Sequence, residues 1–163
     1  MFEAATISTA DPKEFYTELA RQAEGLLTGE RDFIANAANI SALIFTSLPN
    51  LNWAGFYFLK GDTLVLGPFQ GKPACVRIAM GRGVCGAAVE QRQTLRVADV
   101  NEFPDHIACD SASRSELVVP LIKGDEILGV LDLDSPKLSR FSAEDQAGME
   151  HLAALFVTAS DPA

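Results

Sequence analysis

Apolar residues in this chain change their spacing at Trp53, from a helical period before it to strand-like runs after it. Two amphipathic helices are therefore predicted in the first part of the chain. The first begins at the capping residue Asp11, has Pro12 at its first position and runs to about Gly29. The second ends before Pro49. The apolar residues at helical spacing are Phe15, Leu19, Ala23, Leu26, Phe33, Ala37, Ile40 and Ile44.

The second part of the chain is rich in aromatic and β-branched residues, which favour strands. The predicted strands cover residues 53–59, 63–69, 75–80, 94–97, 116–123 and 126–134. A short helix over residues 84–93 follows the third strand, and a final helix begins at its cap, Ser142. Because hairpins or short connections join most of the strands, we expect an α+β fold. It would be a roughly six-stranded antiparallel sheet with the N- and C-terminal helices packed on one face.

Length and charge narrow the class of protein. The 163 residues predict a single domain over residues 1–163, and a hydrophobic content of 48% is enough for a substantial core. The net charge is −9, with 13 basic residues scattered among 22 acidic ones, so we expect neither nucleic acid nor an anionic membrane as a partner. Residues 1–15 lack the pattern of a secretory signal, and no segment is long enough for a membrane span. We therefore expect a cytoplasmic protein.

Three cysteines, Cys75, Cys85 and Cys109, lie close together in a chain that has no others. An odd number in an intracellular protein favours reactive thiols over a structural disulfide set. Two other interpretations stay open. Free cysteines often pack as small buried hydrophobes, which fits Cys85 in GVCGAAV best. His106 and Cys109 also have a zinc-ligand spacing and two further thiols are present, although a Cys-x-x-Cys pair is not.

The segment that contains Cys109, residues 98–115, shows no clear periodicity and is predicted to be a loop. Loops of this length in a compact domain are usually functional, and they give a thiol access to its reactants. Cys75 is expected at a strand edge beside Pro73. Limited motion of the loop would bring the two sulfur atoms together.

Three carboxylates are predicted to lie near one another on the sheet. Asp132 and Asp134 alternate along a strand and share a face, and Glu116 begins the preceding strand, from which it can lie near them. Crowding raises the pKa of at least one such carboxyl, and a protonated carboxyl can serve as a general acid at neutral pH. The alternative is a solvated strand end.

Trp53 and Tyr57 lie four positions apart on a predicted strand and therefore share a face. They are either ordinary core aromatics or the wall of a binding pocket.

Five phrases carry a resemblance to a known family: NWAGFYFL, GPFQGKPACVRI, GRGVCG, HIACDSASRSE and GVLDLDS. The order of the predicted elements resembles a GAF domain over nearly the whole chain. Together the phrases and their three cysteines are similar to free methionine-(R)-sulfoxide reductases, a family of enzymes with the GAF fold. The resemblance implies thiol-dependent reduction of free L-methionine-(R)-sulfoxide to methionine, with thioredoxin as reductant, no metal or other cofactor, and a homodimer. The alternative is a GAF sensor that binds a small molecule or registers oxidants without catalysis.

The resemblance also implies roles for the thiols. Cys109 would attack the sulfoxide, and Cys75 would resolve the resulting sulfenic acid by forming a disulfide with it. Cys85 would act as a secondary thiol that exchanges with this pair.

Pocket roles follow from the same resemblance. Glu116 and Asp134 are assigned to activation of the sulfoxide oxygen, and Asp132 to orientation of the substrate. Trp53 and Tyr57 would surround the S-methyl group.

A free amino acid also has a carboxylate, which needs hydrogen-bond donors. The backbone amides at Gly81 to Val84, which lead into a short helix, are the expected donors, with Gly83 and Val84 as the assigned residues. Arg77 and Arg82 are alternatives, although both are also typical solvated charges. His106 would either favour the thiolate of Cys109 or lie on the surface without a role.

Overall fold

The computed structural model describes residues 2–162. Its helices are α1 (Pro12–Leu27), α2 (Phe33–Ser47), α3 (Gly83–Gln91) and α4 (Ala143–Ala159), with a 3₁₀ turn over Val100–Glu102. Its strands are β1 (Trp53–Lys60), β2 (Thr63–Gly71), β3 (Arg77–Ala79), β4 (Leu95–Val97), β5 (Ser115–Lys123) and β6 (Glu126–Ser135). None of the described helices is long and apolar enough to cross a membrane.

The strands form one six-stranded sheet in the order β3-β2-β1-β6-β5-β4. Every neighbouring pair is antiparallel. The central strands β1 and β6 are flanked by their hairpin partners β2 and β5, so the sheet arises from two hairpins side by side. The predicted α+β class and six-stranded antiparallel sheet are confirmed.

Helices α1, α2 and α4 cover one face of the sheet and share with it the larger of two hydrophobic clusters. The helices at the two ends of the chain thus pack on one face, as predicted.

The predicted capping residues lie at the starts of α1 and α4. Asp11 accepts a hydrogen bond from the backbone amide of Lys13, and Ser142 and Asp145 form a reciprocal capping box.

Helix α3 lies over the opposite face, where it packs against β5 and β6. A smaller cluster, which includes Trp53, Tyr57, Val84 and Cys85, forms on this side. This second face carries the candidate site.

The third strand is shorter than predicted. The prediction of a strand over residues 75–80 was wrong at both ends, by two residues at its start and one at its end, because β3 covers only Arg77–Ala79. The carbonyl of Cys75 accepts a hydrogen bond of 2.8 Å from the Tyr57 hydroxyl, and so this residue is held by a side chain and not by the strand ladder. The first helix likewise ends at Leu27, two residues early, because its cap residue Thr28 already has an extended backbone conformation.

Candidate active site

A pocket opens on the sheet face that carries α3. Its base is formed by β1, β5 and β6, and its walls by the start of α3 and by the loops around residues 72–74 and 106–113. The residues singled out from the sequence that line it are Trp53, Tyr57, Arg82, Gly83, Val84, Cys85, His106, Cys109, Glu116, Asp132 and Asp134. Arg77 instead lies exposed on β3.

A disulfide joins Cys75 to Cys109, with the two Cα atoms 5.6 Å apart. This is the pair that the family resemblance implies. Cys109 lines the pocket and Cys75 does not, so the bond joins the pocket wall to the segment that precedes β3. Neither thiol can serve as a zinc ligand in this state, which removes two members of the zinc set considered from the sequence.

The loop that carries Cys109 is anchored by Asn52, a residue that sequence reasoning missed. The Asn52 Nδ2 atom donates to Asp110 Oδ2 at 3.1 Å and to Ser113 Oγ at 2.9 Å. The hydrogen bonds made by the Asp110 carboxylate, first from the Ala112 backbone and then from Asn52, lower its pKa. This carboxylate is therefore charged and holds the residue next to Cys109 against the start of β1.

The three predicted carboxylates lie together at the base of the pocket. The strand register places Glu116 directly opposite Asp134, and Asp132 lies one pleat further along β6 on the same face. Only 6% of Glu116 and 4% of Asp132 is exposed. The solvated strand end that the sequence left open is therefore not what the structure contains.

Burial is the main electrostatic influence on these groups. It raises the pKa of Glu116 well above its usual range, and the charges of Asp132 and Asp134 raise it further. Burial also raises the pKa of Asp134 and of Asp132. Since each carboxylate disfavours ionisation of the next, the cluster retains a proton at neutral pH. A retained carboxyl proton is available for donation to a bound molecule.

Cys85 is a free, buried thiol beside these acids. Its Sγ atom lies 3.8 Å from Glu116 Oε1, within reach of a weak S–H hydrogen bond. Burial and then the nearby carboxylates of Asp132 and Glu116 raise the thiol pKa. Cys85 is therefore a protonated thiol in this state. Its role as a secondary exchange thiol stays a prediction.

His106 lies in the loop that carries Cys109, but its side chain is close to the carboxyl cluster. Its Nε2 atom is 4.0 Å from Glu116 Oε2, and burial lowers its pKa. A neutral imidazole is therefore favoured. The side chain of Arg82 is exposed at the pocket rim, where its Nε atom lies 4.0 Å from an Asp105 carboxylate oxygen. Its charge therefore faces Asp105 and not the base of the pocket.

The aromatic wall consists of buried, parallel rings. The ring centroids of Trp53 and Tyr57 are 5.8 Å apart, and Trp53 also stacks on Phe69 at 5.1 Å. The indole Nε1 of Trp53 and the Oδ1 atom of Asp132 are both buried without a hydrogen-bond partner among residues 2–162. An unpaired donor and an unpaired acceptor in one pocket indicate a ligand that supplies the missing partners.

The start of α3 adds backbone donors. Gly83 takes a left-handed conformation with φ of 62°, and the side chain of the preceding Arg82 makes no capping hydrogen bond. The first amides of the helix are thus free to bind an anionic group. A Cβ atom at Gly83 would lie 3.2 Å from Ile107 Cγ1, in the loop that carries Cys109. Glycine allows the helix and this loop to approach closely.

The chain matches the GAF domain family model over residues 11–159. It is also 55% identical over 141 residues to the free methionine-R-sulfoxide reductase of Escherichia coli, a match that covers 86% of each chain. The chain belongs to the free methionine-R-sulfoxide reductase family of GAF domains.

Solved structures of this reductase family agree with the assignment. The free methionine-R-sulfoxide reductase of Neisseria meningitidis, in complex with its substrate, is 40% identical with a TM-score of 0.92, covering 98% of this chain and 95% of that one. The reduced form of the Staphylococcus aureus enzyme is 45% identical with a TM-score of 0.87, covering 96% of this chain and 99% of that one. The family and the fold expected from the sequence are confirmed.

Four residues in and beside the pocket were not singled out from the sequence. Lys72, Asp110 and Ser113 line the pocket, and Asn52 lies behind it as the anchor of the loop. All four lie within the phrases that carry the family resemblance, which was the one signal that pointed to them.

Proposed function

We propose that this chain reduces free L-methionine-(R)-sulfoxide to L-methionine with its own thiols. One observation carries the proposal: Cys109, which is bridged to Cys75, and the buried carboxyl cluster line the same pocket. Sulfoxide reduction by thiols needs both an attacking sulfur and a proton for the oxygen. Membership of the reductase family supports the same reaction.

The first step uses Cys109 as nucleophile. Its thiolate attacks the sulfoxide sulfur while Glu116 and Asp134 protonate and stabilise the oxygen. The oxygen passes to the cysteine sulfur, so that methionine leaves and Cys109 becomes a sulfenic acid. The sulfoxide is reduced by two electrons and the cysteine is oxidised by two.

The second step uses Cys75. Its thiolate attacks the sulfenic sulfur of Cys109, the S–S bond forms and water leaves. The structure represents the product of this step. Thioredoxin is proposed to reduce the disulfide by thiol–disulfide exchange, which returns both thiols for another cycle.

The pocket matches the polar ends of a free amino acid. The unpaired Asp132 oxygen is suited to the substrate ammonium, and the free amides of Gly83 and Val84 to its carboxylate. Trp53 and Tyr57 wall the space for the S-methyl group, and the indole N–H donates to an oxygen of the bound molecule.

We further propose a cytoplasmic location and a homodimer. A thioredoxin-recycled thiol enzyme works where thiols are kept reduced. Sedimentation of the purified chain tests the dimer.

The deciding experiment incubates the protein separately with the R and S sulfoxides of free methionine and excess dithiol, and counts methionine. Many equivalents of methionine per chain from the R sulfoxide alone are expected. A GAF sensor would bind or oxidise once and then stop, so a yield limited to one equivalent per chain would favour the sensor.

A further inference from the structure

The deepest part of the pocket brings together three side chains that are able to bind a metal ion. The Sγ atom of Cys85 and one carboxylate oxygen each of Glu116 and Asp132 all lie within 4.8 Å of one another. All three side chains are buried. A zinc ion holds sulfur at about 2.3 Å and oxygen at about 2.0–2.2 Å, which separates its ligand atoms by roughly 3–4 Å. The cluster therefore needs only a small contraction to enclose an ion.

A second observation indicates that this cluster accepts a positively charged group. The Oδ1 atom of Asp132 is buried without a partner among the described residues. An unpaired carboxylate oxygen in a buried site is costly, and a bound cation removes that cost. His106 is not part of this group, because its Nε2 atom faces the Oε2 atom of Glu116 at 4.0 Å, whereas the Cys85 Sγ atom faces Oε1.

We propose that Cys85, Glu116 and Asp132 form a binding site for a divalent cation of the zinc type, with water as the fourth ligand. A thiolate ligand favours zinc-like ions, whereas Mg²⁺ and Ca²⁺ prefer oxygen ligands alone. The ion replaces the proton of the Cys85 thiol and any proton shared by the two carboxyls. Those protons are released to solvent, so affinity rises with pH.

The consequence is inhibition. A metal ion at this position occupies the carboxyl groups proposed to bind and protonate the amino-acid sulfoxide, so metal and substrate exclude each other. This consequence rests on the proposed function, whereas metal binding itself does not. The role of Cys85 would then be to make the pocket sensitive to zinc in the reduced enzyme.

The test uses the full chain with Cys75→Ser and Cys109→Ser, which keeps Cys85 as the one remaining thiol of three. Removing the other two also prevents the disulfide from restricting entry. Co²⁺ is titrated as the probe, because thiolate-bound Co²⁺ has a sulfur-to-metal charge-transfer band. We expect that band to saturate at one Co²⁺ per chain and to disappear when Zn²⁺ is added.

Three further variants in this background identify the ligands. Cys85→Ser should abolish the charge-transfer band, and Asp132→Asn should weaken Co²⁺ binding by at least ~10-fold. Glu126→Gln removes an exposed carboxylate from the same strand as Asp132 and should leave binding unchanged. Circular dichroism checks that each variant is folded.

Two results would overturn the site: a folded parent protein with no charge-transfer band at saturating Co²⁺, or equal Co²⁺ affinity in the parent and in Asp132→Asn. Because binding is measured without turnover, either result leaves the reductase proposal standing. Conversely, a protein that binds Co²⁺ at Cys85 but reduces no sulfoxide would refute only that proposal. Excess free methionine sulfoxide should raise the apparent Kd for Co²⁺ if the two ligands share the pocket.

Discussion

Substitution of Glu116 by Gln removes an acidic proton while it keeps the shape of the side chain. Glu116 is 6% exposed, and burial followed by the charges of Asp132 and Asp134 raises its pKa well above the usual range. The protonated form of Glu116 is therefore favoured, within a cluster whose carboxyls share the retained proton. A positioned general acid contributes about 10²–10⁴-fold to a rate. We expect kcat to fall by about 10²-fold or more, which corresponds to about 2.7 kcal/mol of transition-state stabilisation.

The assay measures methionine released in a single turnover of fully reduced enzyme, over a series of pH values. In the parent protein the rate should fall as the pH rises through the raised pKa of the carboxyl cluster, because the proton donor is lost. This alkaline limb should shift in Glu116→Gln. The matched control is Glu126→Gln, an exposed change on β6 that should keep the parent rate and profile.

The free energy of unfolding gives a second test of Glu116→Gln, because the substitution should lower the rate but raise stability at alkaline pH. The pKa of Glu116 is higher in the folded state than in the unfolded state. At pH values between these two pKa values, the native state therefore binds more protons than the unfolded state. Native stability therefore falls as pH rises across that window. Gln cannot ionise, so the variant should lose the Glu116 share of this slope, while Asp132 and Asp134 keep theirs, and should gain stability relative to the parent at the alkaline end. Urea titrations at several pH values measure it.

The reasoning about Glu116 would be refuted by a particular combination of results. If Glu116→Gln raised KM but kept the parent kcat and alkaline limb, the group would only hold the substrate ammonium and would not handle the oxygen. Proton donation would then have to come from Asp134 alone.

The remaining predictions concern the thiols, the substrate ends and the loop. Cys109→Ser should abolish methionine formation even in a single turnover, and methionine from that variant would contradict its role as nucleophile. Cys75→Ser should release one methionine per chain and accumulate a sulfenic acid that a dimedone-type probe detects. If this variant turned over with thioredoxin at the parent rate, Cys85 would be the main resolving thiol. N-acetyl-methionine sulfoxide should be reduced at least ~10³-fold less efficiently than the free amino acid, because the buried acceptor Asp132 is left unpaired; comparable kcat/KM values would contradict the pocket assignment. Asn52→Ala removes the hydrogen bonds that hold the loop next to Cys109, so it should slow disulfide formation more than it raises KM. If the two thiols were lost at the parent rate, Asn52 would not position the loop for this step.

Periodicity was sufficient to predict the sheet and the three helices on its first face. Helices α1 and α2 each bury one stripe, and their caps are local in sequence. The position of α3 was not predictable in the same way. Residues 83–89 are all buried, so the helix has no polar face from which its orientation could be inferred.

In the candidate site, too, contacts that are local in sequence could be predicted and long-range contacts could not. The closeness of Glu116 to Asp132 and Asp134 follows from one hairpin, since the turn at Gly124 fixes the register between β5 and β6. The anchoring of Asp110 by Asn52 joins residues 58 positions apart, and no local pattern encodes it.

The two faces of the sheet carry opposite kinds of burial. On the helical face the core is apolar, with the Phe56 and Phe156 ring centroids 4.7 Å apart, and the buried polar side chains of its helices, Gln22, Asn36 and Ser41, carry no charge. On the other face Glu116, Asp132 and the unpaired indole of Trp53 are removed from water at a cost to stability. Such violations of local packing rules persist where function requires them. The apolar face thus stabilises a sheet rigid enough to hold proton donors, unpaired polar atoms and a redox pair within one pocket.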